Sequence, residues 1–269
     1  MAYELKRAFK TPEFKIAFVM GMIIVLSHIV FSKIPEAISM SSYMNENFEM
    51  KYPESCYVAW IGIDNRFYMY LYLLILPVIA AMPYSTSLFT DLKGSIAANV
   101  ITRVGKLKYL RNKFTVVFIS GGIVSCIPLI VDMLLCFMLF PAVNVEPASK
   151  AVLMPKGSFS LLYYEHPLVY FIICLVMIYI YSGVMSVSCL TSTFYVKHKY
   201  SVMVNGFIIS LFVISLCELL GINQWQPTSF LAGYYYSEPR LIPYILETIA
   251  LLFISTLNYF IIGARRDLQ

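Results

Sequence analysis

Three carboxylates stand inside or at the ends of long apolar runs: Asp132, Glu218 and Glu247. An ionised carboxylate there costs roughly 2.5 to 3.5 kcal/mol on insertion scales, so each is expected to face protein or water. Two chemistries fit such acids. Asp132, one turn after Pro128, and Glu247, about one turn into its run, line a polar translocation path or relay protons. Alternatively they are structural acids, hydrogen-bonded or protonated, and Glu218 reaches the interface from the outer end of its run. His28 has no second histidine at ligand spacing, so it reads as interfacial and no metal site is expected. No catalytic residue is expected either: "SGG" at 120–122 is no nucleophile setting, and neither an HExxH nor a paired-glutamate motif occurs. "KGS" at 93–95 and "KGSFS" at 156–160 lack the strand and spaced glycine that cradle phosphates.

These acids are positioned by six apolar runs of about 20 residues, the length that crosses about 30 Å of hydrocarbon. The runs cover 14–31, 67–89, 114–140, 167–195, 201–220 and 242–263, in a chain that is 59% hydrophobic and 13% charged with a mean hydropathy of +0.74. Helices are expected, because the runs lack the alternation of a membrane barrel. The fold class is therefore an all-α membrane protein of one domain, 1–269. The first run is long enough to be a retained anchor, with no cleavage site following it.

Lysine and arginine set the orientation, since cytoplasmic loops retain them. With both termini inside, fourteen fall on the cytoplasmic side, at Lys6, Arg7, Lys10, Lys15, Lys93, Arg103, Lys106, Lys108, Arg111, Lys113, Lys197, Lys199, Arg265 and Arg266. Six fall outside: Lys33, Lys51, Arg66, Lys150, Lys156 and Arg240. The net charge of +5 thus belongs beside the lipid bilayer, and no nucleic-acid partner is expected. Five of the six cysteines lie in spans and Cys56 in an outer loop, so no disulfide framework is available.

The segments between spans differ. Residues 1–13 read as a short amphipathic helix in the headgroup layer, ended by a Thr11, Pro12, Glu13 helix start. Residues 32–66 and 141–166 read as exposed outer loops. Residues 221–241, rich in aromatics and broken by Gly221, Pro227, Gly233 and Pro239, read either as short helices dipping back or as an aromatic belt. Small residues at 182–192 read as packing within the subunit, with a dimer seam as the alternative. Between the second and third runs, "DLKGSIAANVITRVGKLKYLRNK" carries Leu92, Ile96, Val100, Val104 and Leu107 on one helical stripe, among six cations. Such a stripe rests on anionic lipid or docks a cytoplasmic partner.

The order of amphipathic helix, span, long outer loop and span, then Asp91-Leu92-Lys93-Gly94, a short helix, Thr102-Arg103, and Lys108-Tyr109-Leu110 with Lys113, resembles the ABC type 2 permeases. These are the membrane subunits of bacterial ABC exporters of drugs, antimicrobial peptides and polysaccharides. The resemblance implies an N-terminal elbow helix, six spans in the bacterial plasma membrane, and a cytoplasmic coupling helix between spans two and three. It makes Asp91, Leu92, Gly94, Ile96, Val100, Arg103 and Val104 the residues that dock an ATP-binding subunit. It implies a second permease subunit, identical or homologous, and places ATP and Mg on the partner ATPase, with no cofactor in this chain. A peptide, toxin or other amphipathic cargo is expected by analogy with small members in bacteriocin or lantibiotic immunity. The competing expectation is a proton-coupled secondary transporter using Asp132 and Glu247, against which no internal repeat is visible.

Overall fold

The computed structural model describes residues 1–45, 54–64, 66–94, 96–145, 159–232 and 241–265. Lys51, Lys150, Lys156, Arg240 and Arg266 of the charge pattern, and Gly233 and Pro239 of the aromatic segment, lie outside these residues. Among the described residues every regular element is helical. In chain order they are α1 (Ala2–Lys10), α2 (Pro12–His28), α3 (Ile34–Asn45), α4 (Cys56–Ala59), α5 (Phe67–Ala81), α6 (Ser87–Lys93), α7 (Ile96–Val104) and α8 (Lys106–Leu139). There follow α9 (Ser160–Glu165), α10 (Pro167–Ser192), α11 (Lys199–Leu220), α12 (Pro227–Leu231) and α13 (Leu241–Arg265).

Among the described residues, five helices are long and apolar enough to cross a membrane: Pro12–Ser41, α8, α10, α11 and α13. Large apolar side chains such as Ile23, Leu134, Ile172, Phe212 and Phe253 stand exposed along them. In water so much exposed apolar surface promotes aggregation, whereas in lipid it is the expected surface. The architecture is thus an all-α one compatible with a multi-pass membrane protein.

The second apolar run departs from expectation. It is helical only from Phe67 to Ala81, about 22 Å at 1.5 Å per residue. The chain then turns through Met82–Thr86 before α6 begins. Pro83 cannot donate a backbone N–H, which favours the break, and Thr11 Oγ1 donates to the Pro83 carbonyl at 3.2 Å. The same Thr11 accepts the Phe14 N–H at 3.3 Å, the expected cap of α2.

The expectation of exposed outer loops is overturned in part: residues 141–144 are exposed and irregular, and 46–53, 65 and 146–158 lie outside the described residues, but most of the remainder is helical or buried. After His28 the helix widens into a π-turn, Ile29–Lys33, and continues as α3 to Asn45. Residues from Cys56 to Ile63 are largely buried in the core, with Trp60 edge-on to Phe171 at 4.6 Å. The Trp60 indole donates to the Leu129 carbonyl at 3.2 Å, so this segment closes one end of the bundle. Tyr163 of α9 is buried there too. In the segment after α11, a 3-10 turn at Asn223–Trp225 and α12 form short helices. Phe230 of α12 sits between Tyr181 and Tyr244.

Small residues bring α5, α8 and α10 together. A side chain on Gly121 would meet Ser186 and the Ala80 carbonyl, and one on Gly183 would meet the Phe118 ring. The serines and the one glycine of α10 therefore pack within the chain, as the sequence reading favours. All six cysteines are buried and none forms a disulfide.

Candidate functional site

The interhelical segment of greatest interest lies at the end of the bundle that carries α1, called the basic end here. The stripe read from the sequence does not form one helix. Gly94 ends α6, and Gly105, at φ +86°, sets a sharp corner between α7 and α8. A left-handed backbone of this kind strains any residue with a Cβ. The corners divide the stripe. Leu92 and Val100 turn partly inward onto a core of Ala8, Leu88, Ala97, Leu110 and Tyr259. Ile96 and Val104 point outward, 42% and 40% exposed, and Leu107 outward at 66%. Gly94 and Arg103 are also exposed.

Beneath α7 lies a buried ionic lattice. Asp91, at the end of α6, is bound by Arg7 Nη2 at 2.9 Å, by Lys113 Nζ at 2.7 Å and by the Tyr109 hydroxyl, which donates at 3.0 Å. Lys113 also pairs with Glu4 at 2.9 Å and donates to the Tyr84 hydroxyl at 3.2 Å. Tyr84 in turn donates to Glu4. The Lys113 ammonium stands 4.6 Å from the centre of the Tyr84 ring. Burial by itself raises the Asp91 carboxyl, but Lys113 and Arg7 outweigh it and hold the group below the usual carboxylate range. Burial lowers Arg7, and its bond to Asp91 more than reverses that. The lattice joins α1, α6 and α8, so the segment entering α7 is tied to the long helix that leaves it.

A second lattice closes the opposite end. Asp132 is fully buried; Oδ1 lies 2.8 Å from His28 Nδ1, and Oδ2 accepts the Ile61 N–H at 2.8 Å. His28 Nε2 lies 3.2 Å from Asp64. Each ring nitrogen of His28 thus faces a carboxyl oxygen. Asp64 also pairs with Lys33 at 3.2 Å and with Arg66 at 3.4 Å, and Glu36 bridges the same two cations. Burial raises Asp64, and His28, Lys33 and Arg66 outweigh it, leaving this carboxyl below its ordinary value. The π-turn carries Lys33, buried, into this cluster.

The three acids singled out from the sequence thus have different surroundings. Asp132 faces neither water nor lipid, and both of its oxygens are engaged. Glu247 is half-buried and accepts from the Tyr181 hydroxyl at 3.0 Å. Glu218 is exposed near the end of α11 and accepts from Gln226 at 2.6 Å. The structure does not bring the three together. Glu4, Arg7, Tyr84, Tyr109, Lys113, His28, Lys33, Glu36, Asp64 and Arg66 are the residues that complete the two lattices. Lys113 and Tyr109 belong to the motif already noted, and Glu4 and Arg7 carry no signal beyond facing the same helix side.

Compared with protein-family models, characterised proteins and solved structures, the chain has no match.

Proposed function

We propose that the chain is the membrane subunit of an ATP-driven exporter, with α7 as the helix that receives force from a separate ATP-binding subunit. In this reading the five long helices and α5 are six spans, both termini are cytoplasmic, and α1 is the elbow helix lying in the inner headgroup layer. A second permease subunit, identical or homologous, completes the path across the bacterial plasma membrane. ATP and Mg reside on the partner ATPase, and the cargo is a peptide, toxin or other amphipathic molecule.

The observation that carries this reading is the mounting of α7. Its inner face is packed through Ala97 and Val100, its outer face offers Ile96, Val104 and Arg103, and the Asp91 lattice fixes its entry to α8. A short helix with an apolar outer face on a stiff base suits docking into a groove of another subunit. The seven expected docking residues accordingly divide: Ile96, Arg103 and Val104 are contacts, Leu92 and Val100 are supports, Gly94 is a joint, and Asp91 is the anchor.

The test is to express the chain with its neighbouring genes, purify it in nanodiscs and assay for a co-purifying ATPase. Ile96→Asp with Val104→Asp, both at exposed positions, is expected to release the ATPase and leave the chain folded. Retention of the ATPase by that variant, or its absence from the native preparation, overturns the reading. Glu247, held by a single hydroxyl between α10 and α13, favours the second reading, a proton-coupled transporter. Proton flux abolished by Glu247→Gln, without an ATPase, supports that one.

A further inference from the structure

A groove of about 360 Å³ runs between α8 and α13 at the basic end, lined by Leu107, Lys108, Arg111 and Phe260. Its walls are fixed. The Tyr259 hydroxyl donates to the Leu110 carbonyl at 3.2 Å, Lys106 Nζ donates to the Ala264 carbonyl at 2.7 Å, and Phe114 stacks on Phe260 at 5.7 Å. Gly263 lets α13 approach Leu110, because a Cβ there would lie 3.0 Å from that side chain.

Charge on this stretch of α8 divides by side. Lys113, turned inward, is paired with two carboxylates. Lys108 and Arg111, three residues apart and both exposed at the groove, have no carboxylate within ion-pair distance among the described residues. Among the described residues nothing supplies their counter-charge. The rest of the groove's lining is apolar, with Leu107 at its outer edge and the Phe260 ring deeper, beside Phe114. Arg111 lies two residues and Lys108 five residues before Lys113, about 3 and 7.5 Å along the axis. That places them beside the apolar stretch of α8 at the depth of a headgroup.

We propose that this groove is a binding site for an anionic phospholipid. Its phosphate is held between Lys108 and Arg111, the first methylenes of an acyl chain lie on Phe260, and Leu107 closes the outer edge of the groove. A neutral zwitterionic lipid is disfavoured because its own cation meets the same pair. An acidic protein surface satisfies the charges but not the apolar lining, which points along the lipid-facing side of α13, where Leu257 and Ile261 are exposed.

The test uses the full chain in detergent, with native mass spectrometry reading retained lipid after addition of phosphatidylglycerol or phosphatidylcholine. One phosphatidylglycerol per chain is expected to be retained in preference to phosphatidylcholine. Lys108→Gln with Arg111→Gln is expected to weaken retention about 30-fold, which is about 2 kcal/mol for two cations at an anionic surface. Lys93→Gln with Arg103→Gln, which removes two cations elsewhere at this end, is expected to leave it unchanged. Leu107→Asn is expected to weaken phosphatidylglycerol but not to create affinity for inorganic phosphate. Equal retention of the two lipids, or equal losses in both double variants, overturns the site. Displacement of the lipid by inorganic phosphate alone overturns the lipid assignment. If Lys108→Gln with Arg111→Gln keeps its lipid and loses a co-purifying protein instead, the groove is a protein interface and the proposal fails. Thermal unfolding of each variant, expected to match the native chain, separates loss of the site from loss of the fold.

Discussion

Asp91→Asn removes one charge from the centre of the basic-end lattice with almost no change of shape. The native carboxylate accepts from Arg7, Tyr109 and Lys113 and is 1% exposed. The amide keeps one acceptor oxygen but turns two N–H donors toward a site already furnished with cations. Lys113, 0% exposed, is left with Glu4 as its charged partner. Breaking a buried pair by removing one member costs about 3 to 5 kcal/mol, because the remaining charge stays desolvated. The lower figure applies here, since Glu4 still offsets part of the Lys113 charge. About 3 kcal/mol is roughly a hundredfold or more in the unfolding equilibrium. The assay is reversible unfolding of the purified full chain in micelles, followed by the exposure of buried cysteines to a thiol reagent. Arg103→Gln, at an exposed position, is the control, with an expected effect within about 0.5 kcal/mol. Asp91→Asn with Lys113→Gln is expected to recover part of the loss, since a neutral pair leaves no orphan charge. An Asp91→Asn variant no less stable than the Arg103→Gln control would refute the reasoning, and so would a double variant that loses the sum of both single effects.

Three further outcomes follow from the same geometry. Asp91 and Asp64 both have folded values below their ordinary range, so their contribution is fully present above about pH 4 and is lost as pH falls through the depressed values. Unfolding measured against pH should therefore steepen below pH 4, less so in Asp91→Asn. His28→Leu leaves Asp132 buried with the Ile61 N–H as its remaining close donor; a loss of about 3 kcal/mol is expected, partly recovered by adding Asp132→Asn. Gly121→Ala places a methyl 2.8 Å from the Ala80 carbonyl, and a loss of about 1 to 3 kcal/mol in unfolding is expected, eased when Ser186→Ala is added.

Much of the helical layout is legible from run length alone, because lipid leaves the backbone no alternative partner to its own helix. What run length does not carry is where the chain turns back. The second apolar run breaks at Pro83, where the Thr11 hydroxyl, 72 positions earlier in the chain, meets the carbonyl. The residues after His28 carry polar side chains without helical periodicity and yet are helical, since Lys33 and Glu36 face an ionic cluster rather than water. The stripe from Leu92 to Leu107 is visible as a period, but a period assumes one axis, and Gly94 and Gly105 give it three. The lattices join residues as far apart as Arg7 and Asp91, or His28 and Asp132. No local pattern records such a pairing; only the oddity of a charge beside a long apolar run marks each member.

The two lattices also explain why α8 bears charges at both borders of its apolar stretch. Lys113 and Asp132 are nineteen residues apart on one continuous helix, about 28 Å at 1.5 Å per residue. That is close to the roughly 30 Å thickness of the hydrocarbon layer. Lys113 is bonded to groups of α1 and α6, and Asp132 to groups of α2 and the segment after α4. Each charge is therefore placed where its partners approach from beyond the apolar layer, and where the cost of an ion is lower than at mid-depth. On this argument Asp132 belongs to a border lattice that pins α2 to α8, and a proton path through it would first have to dismantle the His28 and Ile61 contacts. Among the described residues Glu247 has no such lattice around it, and it is the acid on which a search for a polar path should begin.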